Sequence, residues 1–186
     1  MKRTTKRKFK QFIARFWAKQ FNRLIVQFIS LMLGFYVLWI MPFFQETIVA
    51  NVAKCYAVVS AICLNLFGNS VTAVGDVLSG SQFAMSIKNG CDAIEAIAIL
   101  LCAMFIYPTS YKNKIIGLAA GSILLIILNI IRIISLYFVG VYIPSIFDVM
   151  HISVWQIIFI IVPMLIVMQW LNWVQLKPVD ESVQTN

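Results

Sequence analysis

The pattern of hydrophobic and polar positions divides the chain into long apolar runs that are separated by short polar segments. A helix of about 20 apolar residues is long enough to cross a hydrocarbon core of about 30 Å. Besides three longer runs, a fourth run, Cys91–Tyr107, is shorter. It crosses the membrane only if Asp92 and Glu95 lie at the membrane surface. The sequence therefore predicts an all-α polytopic membrane protein with about four transmembrane helices. The three longest runs are Leu24–Phe44, Ile115–Val139 and Ile152–Val174.

The segment between the runs Leu24–Phe44 and Cys91–Tyr107 follows a different pattern. Val52–Phe67 is apolar but contains a lysine and an asparagine, so we expect a helix that lies along the outer leaflet or dips into it. Apolar and polar residues then alternate over Val71–Leu78, turn residues follow at Ser79–Gly80–Ser81, and a second short run covers Gln82–Lys88. Two short runs joined by turn residues predict a β-hairpin. It must face the outer aqueous side or pack on protein, because an open sheet edge is not stable in lipid.

The basic residues are concentrated at the start of the chain. The formal net charge is +8, and residues 1–23 hold nine of the fifteen Lys and Arg residues and no acidic residue. Such a cluster marks the cytoplasmic side and attracts anionic headgroups, so we expect membrane lipids and not nucleic acid as its partner. Apolar residues near helical spacing in Phe9–Arg23 predict an amphipathic helix on the inner leaflet. We divide the chain into a cytoplasmic segment 1–23, a membrane-embedded domain 24–174 and a cytoplasmic tail 175–186.

The positive-inside rule then orients the helices. Lys112 and Lys114 place the loop before the run Ile115–Val139 in the cytoplasm. The run that begins at Cys91 therefore runs inward, the next runs outward and the last returns. This orientation places Cys91, Arg132 and His151 together near the outer face of an inner (plasma) membrane protein.

These three residues are unusual in so apolar a chain, in which hydrophobic residues make up 61% of the total. Arg132 is the only charged residue between Lys114 and Asp148, and His151 is the only histidine. Ionisable groups at bilayer depth are costly and mark functional sites. A thiol, an imidazole and a guanidinium are the groups of a nucleophilic acyl-transfer site, as nucleophile, general base and oxyanion partner.

Other polar residues are candidates for supporting roles. Asn89 is a suitable N-cap that would place Cys91 in the first turn of a helix, where the dipole favours a thiolate. Asn129 shares a helix face with Arg132. Asp148, one helical turn before the histidine, is placed to orient its ring. Glu95 either pairs with Arg132 or reaches toward the outer headgroups.

Each of these residues also has a purely structural interpretation. Cys91 is also compatible with a small buried apolar residue, and His151 with an interfacial boundary residue. Arg132 is also compatible with holding helices together by pairing with Asp92 or Glu95. None of the four cysteines forms a CxxC pair, so we expect no metal or other cofactor, whereas a disulfide on the outer side stays open.

Three short motifs occur in order along the chain. They read Asn89-Gly90-Cys91-Asp92-Ala93-Ile94-Glu95-Ala96, then Asn129-Ile130-Ile131-Arg132, then His151-Ile152-Ser153-Val154-Trp155-Gln156. Together they resemble the cysteine, arginine and histidine motifs of the exosortase/archaeosortase family, with the closest likeness to exosortase H type proteins. The resemblance covers roughly residues 68–173. This chain is shorter than many exosortases, so we expect a minimal core of that fold.

The resemblance implies a membrane cysteine transpeptidase or protease. Its partners would be secreted proteins with a C-terminal sorting signal, made of a short motif, a transmembrane helix and a basic tail. By the same implication Cys91 forms a thioester with the substrate, Arg132 supports the oxyanion and His151 transfers protons. Water or a lipid- or glycan-borne group then releases the processed protein.

Two other functions are compatible with the same polar residues. One is a non-catalytic membrane protein that binds partner helices through a polar cavity. The other is a small transporter in which Arg132 and Glu95 line a path, although transporters often carry internal repeats and none is visible here. Replacement of Cys91 separates the alternatives, because a covalent mechanism needs its sulfur and transport does not.

Overall fold

The computed structural model describes residues 20–87 and 90–176. The predicted polytopic helical membrane fold is confirmed, because four helical stretches are long and apolar enough to cross a membrane. A small three-stranded sheet accompanies them. The helices are α1 (Gln20–Ile40), α2 (Pro42–Leu66), α3 (Ile94–Ile106), α4 (Tyr111–Tyr142) and α5 (Trp155–Gln175), and the strands are β1 (Val71–Val74), β2 (Val77–Gly80) and β3 (Ala84–Ser86).

The first predicted span is two helices and not one. The apolar run Leu24–Phe44 is interrupted after Ile40, where Met41 is extended (φ −66°, ψ 129°) and Pro42 begins α2. A residue that precedes proline is pushed out of the helical region, and proline is well suited to the first position of a new helix. The helix predicted over Val52–Phe67 is consequently the second part of the longer α2, which includes a π-helical turn at Gln45–Val49.

Helix α2 packs against the sheet and against the second half of α4. Its buried side is made mostly of small residues, with Tyr56 and Leu64 as the large ones. Tyr56 lies beside Asn129 of α4, and the Leu64 end of the helix packs near β1. The Tyr142 half of α4, the sheet and α2 therefore form one packed unit.

The sheet is antiparallel with the strand order β1-β2-β3. The hairpin predicted around Ser79–Gly80–Ser81 is present as the β2–β3 pair. The run Val71–Leu78, however, is not one strand, because a two-residue turn at Gly75–Asp76 folds β1 back on β2. Gly75 has a φ of +64°, which glycine adopts without strain and which the hairpin turn requires at its first position.

Helix α3 is shorter than the run Cys91–Tyr107 that predicted it. It begins at Ile94 and has 13 residues, a length of about 20 Å at 1.5 Å per residue. Helix α4 has 32 residues, or about 48 Å, and the Ser110 side chain caps its start by accepting from the Asn113 N–H. Helix α4 is thus longer than a hydrocarbon core, and Tyr137 and Gly140 near its end contact the β2–β3 hairpin.

Two predicted regions lie outside the described residues. The amphipathic helix Phe9–Arg23 falls there apart from its last four residues, which belong to α1, and so does the tail after Leu176. The last helical stretch begins before α5, with a 3-10 turn at Pro144–Ile146 and a π-helical segment at Val149–Val154. That π-helical segment contains the only histidine of the chain.

Candidate active site

Cys91 and His151 are in direct contact. The Cys91 Sγ and the His151 Nε2 are 2.9 Å apart, although the two residues are 60 positions apart in the sequence. Cys91 is 3% exposed, and His151 is partly buried. A thiol beside an imidazole nitrogen is the arrangement of a nucleophile and its general base. The residues predicted to act together are therefore brought together.

The loop around Cys91 differs from the predicted helix start. Cys91 was expected in the first helical turn with Asn89 as N-cap, but α3 begins three residues later and its N-cap position is Ala93. Asn89 itself lies outside the described residues. The Asp92 Oδ1 accepts the Ile94 N–H at 3.0 Å, so an aspartate caps the start of α3 from within the loop. Local side-chain capping by Asp92 explains why the helix does not extend back to Cys91.

Two left-handed residues flank the cysteine. Gly90 has a φ of +89° and Ala93 a φ of +58°. Glycine adopts such a conformation freely, whereas an alanine there costs about 1 kcal/mol or more. Strain of this kind persists where the surroundings hold the backbone in place, as they commonly do at functional sites. Here it turns the chain sharply, so that Cys91 projects toward His151 before α3 begins.

Arg132 connects the cysteine loop to the histidine segment. Its Nη1 donates to the Gly90 carbonyl at 2.8 Å, and its Nη2 donates to the His151 carbonyl at 3.4 Å. The guanidinium lies 5.2 Å from the centre of the Phe159 ring, a cation–π arrangement. Arg132 is 3% exposed. One side chain thus holds the backbone on both sides of the Cys–His pair.

Asn129, one turn before Arg132, holds the cysteine residue itself. Its Nδ2 donates to the Cys91 carbonyl at 2.8 Å, and it is fully buried. The Tyr56 hydroxyl interacts with the Asn129 side chain from α2. The predicted common face of Asn129 and Arg132 is therefore turned toward the cysteine loop. Tyr56 was not singled out from the sequence, since a tyrosine in an apolar helix carries no signal of its partner.

Burial and the neighbouring charged groups shift the pKa of the Cys91 thiol in different directions. Burial raises the pKa of the Cys91 thiol, the Arg132 charge lowers it and the nearby Asp92 carboxylate raises it. Burial also raises the pKa of the Asp92 carboxyl, against the Ile94 N–H and the Arg132 charge. The net effect favours the neutral thiol. His151 is the side chain in contact with that thiol that could accept its proton.

His151 is oriented by packing. A π-helical segment has hydrogen bonds between residues five apart instead of four, and such segments occur frequently at functional sites. The ring of Phe147 stacks on the imidazole, with centroids 5.9 Å apart and an angle of 22° between the planes. Asp148 is exposed and, within the described chain, forms no hydrogen bond to the ring. Its expected role in orienting the imidazole stays a prediction, and Phe147 is the neighbour that the sequence did not reveal.

Glu95 lies close to the site but is not paired with Arg132. No ion pair joins the two within the described residues, and Glu95 instead lines a cavity of about 60 Å³ between α3 and α5. Arg132 and Gln156 line the same cavity. All four cysteines are free thiols, so no disulfide is present. Among residues 20–87 and 90–176, no group of three or more His, Cys, Asp or Glu side chains is placed to hold a metal ion.

The molecule is a polytopic helical membrane protein in which a buried cysteine contacts a histidine. An arginine of a membrane helix binds the backbone beside both residues. The chain matches the family model described as transmembrane exosortase over residues 14–177, and it belongs to that family. No curated protein and no solved structure matches the chain.

Proposed function

We propose that this protein is a membrane-embedded cysteine transpeptidase or protease that cleaves the C-terminal sorting signal of secreted proteins. Membership of the exosortase family supports an enzyme of this type. The observation that carries the proposal is the 2.9 Å contact between the Cys91 Sγ and the His151 Nε2. The sorting signal consists of a short motif, a transmembrane helix and a basic tail.

The first half-reaction forms a thioester. His151 Nε2 takes the proton from the Cys91 thiol, and the sulfur attacks the carbonyl carbon of the scissile peptide bond. The tetrahedral intermediate collapses with cleavage of the C–N bond, and the leaving amine takes the proton from His151. The products are a thioester at Cys91 and a released C-terminal fragment.

The second half-reaction releases the processed protein. Water, or a hydroxyl or amine of a lipid or glycan, attacks the thioester carbonyl and gives a proton to His151. The thioester C–S bond breaks, and the sulfur recovers that proton as the Cys91 thiol. Hydrolysis and transpeptidation share the first half-reaction and differ only in this acceptor.

Arg132 has two roles in this scheme. It fixes the loop and the histidine segment through the Gly90 and His151 carbonyls. A guanidinium has five N–H groups, so donors remain for the oxyanion that forms on the scissile carbonyl. Its burial strengthens such a bond, because the local dielectric is low.

The charge pattern supports a particular orientation. The basic residues of segment 1–23 and of the loop at Lys112 and Lys114 favour a cytoplasmic N-terminus, with the Tyr142 end of α4 at the outer face of the inner membrane. The sheet, the cysteine loop and His151 are packed at that end. A substrate that has crossed the membrane up to its C-terminal helix would present its cleavage site at this depth.

The experiment follows candidate secreted proteins that end in a membrane helix and a basic tail, in cells of the source organism. Cys91→Ser is compared with Cys102→Ser, since Cys102 is also a buried free cysteine but lies away from the site in α3. We expect the unprocessed proteins to accumulate in the membrane only with Cys91→Ser. Both variants are quantified to show equal amounts of protein.

Two results would contradict the proposal. Normal processing with Cys91→Ser at normal protein level would exclude a thioester mechanism, because the variant has no sulfur at this position. An equal defect with Cys102→Ser would show that the loss comes from destabilised packing and not from the missing nucleophile. A protein that only binds partners would tolerate both substitutions.

A further inference from the structure

A small cavity adjoins the cysteine loop on the side between α3 and α5. Its volume is about 60 Å³, which is the share of about two water molecules in the liquid. The loop contributes Gly90, Asp92 and Ala93 to its wall, so the cavity begins within one residue of the nucleophile on either side. It is therefore close enough to hold the part of a substrate that adjoins the scissile bond.

The cavity wall contains polar side chains that the mechanism does not use. Glu95 is partly buried and has no hydrogen bond or ion pair among the described residues. Gln156 is exposed on α5, which is otherwise apolar there, with Ile157 at 55% and Ile160 at 52% exposure. Polar groups on a membrane helix are costly unless they find a partner. Their position in one cavity indicates a shared ligand.

Arg132 supplies a second, independent observation. It is 3% exposed and lines the cavity, and its Nε is buried without a hydrogen-bond partner in the described part of the chain. A buried charged donor without a partner is destabilising. A ligand with an acceptor group would relieve that cost. The wall thus offers an acceptor from Glu95, a donor from Arg132 and both from Gln156.

We infer that this cavity is the subsite for the extended peptide of the substrate next to the scissile bond. The inference rests on the proposed function and adds the residues that bind the substrate backbone. A peptide that leaves its transmembrane helix carries unpaired N–H and C=O groups, which need partners near lipid. Glu95 accepts a substrate N–H, and Gln156 pairs with the neighbouring peptide group.

The position of the cavity favours a peptide over a lipid or glycan acceptor. Its wall includes the residues on both sides of Cys91, where the peptide that adjoins the scissile bond must lie. The exposed isoleucines around Gln156 lie on a helical stretch that is long enough to span a membrane. A substrate anchored by its own membrane helix would arrive from that side. The subsite is therefore open to lateral entry from the bilayer.

The first test separates substrate binding from the integrity of the active site. Gln156→Leu and Glu95→Leu are expressed in the source organism, and processing is followed for those proteins whose processing depends on Cys91. We expect each variant to slow processing about tenfold, the factor that corresponds to one lost hydrogen bond. Alkylation of Cys91 by iodoacetamide, measured with the other three cysteines replaced by serine, is expected to keep its rate.

The matched control is Ile157→Val, which changes the exposed neighbour of Gln156 outside the cavity wall. We expect this variant to process substrate at the wild-type rate. If Gln156→Leu and Glu95→Leu also process at that rate, the cavity is not a substrate subsite. If they slow the alkylation of Cys91 as much as processing, they act on the structure of the site and the inference is wrong.

A photocrosslinking amino acid gives a readout that needs no turnover. It is placed at position 156, and for comparison at position 168, where Met168 is 58% exposed further along α5. In the Cys91→Ser background we expect an adduct with unprocessed substrate from position 156 and none from position 168. Cys91-dependent processing without an adduct at 156 would overturn the subsite alone. Processing that does not depend on Cys91 would overturn the proposed function and the subsite with it.

Discussion

Two nitrogens of the Arg132 guanidinium bind backbone carbonyls, one on each side of the Cys–His pair. The planar shape of the guanidinium allows this, because it presents several N–H groups in fixed directions. An ammonium group is a compact charge on a flexible stem and cannot reproduce both bonds. Charge alone is therefore not what the position requires.

Arg132→Lys should consequently impair both stability and processing. We expect the free energy of unfolding to fall by about 1–3 kcal/mol, because at least one buried carbonyl loses its donor. Thermal unfolding in detergent measures the first effect and the size of substrate proteins in cells measures the second. Arg23→Lys, at an exposed position of α1, is the control and should change neither. Wild-type behaviour of Arg132→Lys would show that the position needs only a positive charge.

The reactivity of Cys91 should depend on pH as expected for a buried neutral thiol. Burial raises its pKa and the Asp92 carboxylate adds to this effect, so the thiolate forms only as the pH rises. We expect the rate of iodoacetamide alkylation to increase through the alkaline range without a plateau below neutral pH. Asp92→Asn keeps the Oδ1 acceptor for Ile94 and removes the charge, so it should shift the profile to lower pH.

A plateau of high reactivity below pH 7 would contradict this expectation. It would show a preformed thiolate–imidazolium pair, as in enzymes with a strongly lowered cysteine pKa. In that case Arg132 and the histidine would outweigh burial. The measurements use protein in which the other cysteines are replaced by serine, so that only the Cys91 sulfur can be alkylated.

The left-handed conformation of Ala93 predicts that a glycine substitution has opposite effects on stability at Ala93 and at Ala98. Glycine in the middle of a helix costs about 1 kcal/mol relative to alanine, and Ala98 of α3 is such a position. At Ala93, where φ is +58°, glycine relieves strain instead. We expect Ala98→Gly to lower the unfolding temperature and Ala93→Gly to leave it unchanged or raise it. Equal losses at both positions would show that Ala93 is not strained.

At the scale of the elements, small residues decide how closely the sheet approaches α4. A Cβ added at Gly140 would overlap the ring of Phe83, and one added at Gly80 would overlap the Tyr137 hydroxyl. The rings of Phe83 and Tyr137 are themselves in edge contact, 6.1 Å between centroids. The glycines therefore let aromatic residues fix the sheet on the end of the long helix.

Gly140→Ala should loosen that contact. We expect a loss of about 1–3 kcal/mol in the free energy of unfolding, because the Phe83 ring must move out of a packed position. Gly34→Ala in α1 is the matched control, since its added Cβ meets nothing within 4 Å. It should be neutral or stabilising, as alanine is the better helix former. Chemical unfolding in detergent compares the two, and equal effects would contradict the packing argument.

The elements show which features of the fold are readable from the sequence. Long apolar runs predict α4 and the last helix well, because a run of that length and composition is sufficient to indicate a membrane helix. The break at Met41–Pro42 and the turn at Gly75–Asp76 were missed, since each is a local backbone preference inside an apolar pattern. Periodicity averages over such single residues. Glycine and proline inside an apolar run are therefore the residues that mark such breaks.

The candidate site shows a different limit. Cys91, Arg132 and His151 stand out because polar residues are rare in apolar runs. The start of α3 did not follow the capping pattern of Asn89, because Asp92 caps the helix from a later position. Tyr56 and Phe147 have no such signal. Their roles come from tertiary contacts that join distant parts of the chain.

For the whole molecule, we expect α2 to stay on one side of the membrane. It is long enough to cross, but its buried residues contact the sheet and the Tyr142 half of α4. Cysteines introduced at Met41, Ser79 and Ser145 should therefore react with a membrane-impermeant maleimide added to intact cells. A cysteine at Ser110 should react only after the cells are opened. The background has Cys55, Cys63, Cys91 and Cys102 replaced by serine.

Labelling of Met41 and Ser79 positions from opposite sides would show that α2 crosses. Labelling of the Ser79 and Ser145 positions from opposite sides would contradict the packed unit of sheet and α4. Each cysteine variant is checked for its amount in the membrane. The four positions together determine the topology of the described residues.

The 60-residue separation between the sulfur and the imidazole also has a consequence for biosynthesis. The ribosome makes the cysteine loop first, then α3 and α4, and only afterwards the segment that carries His151. Until that last helix has been synthesised and inserted, the sulfur has no base and the Arg132 guanidinium lacks one of its two carbonyls. Under the proposed function, the nascent chain would therefore be unable to process newly exported proteins at this stage. The proposed activity would begin only when its own membrane insertion is complete.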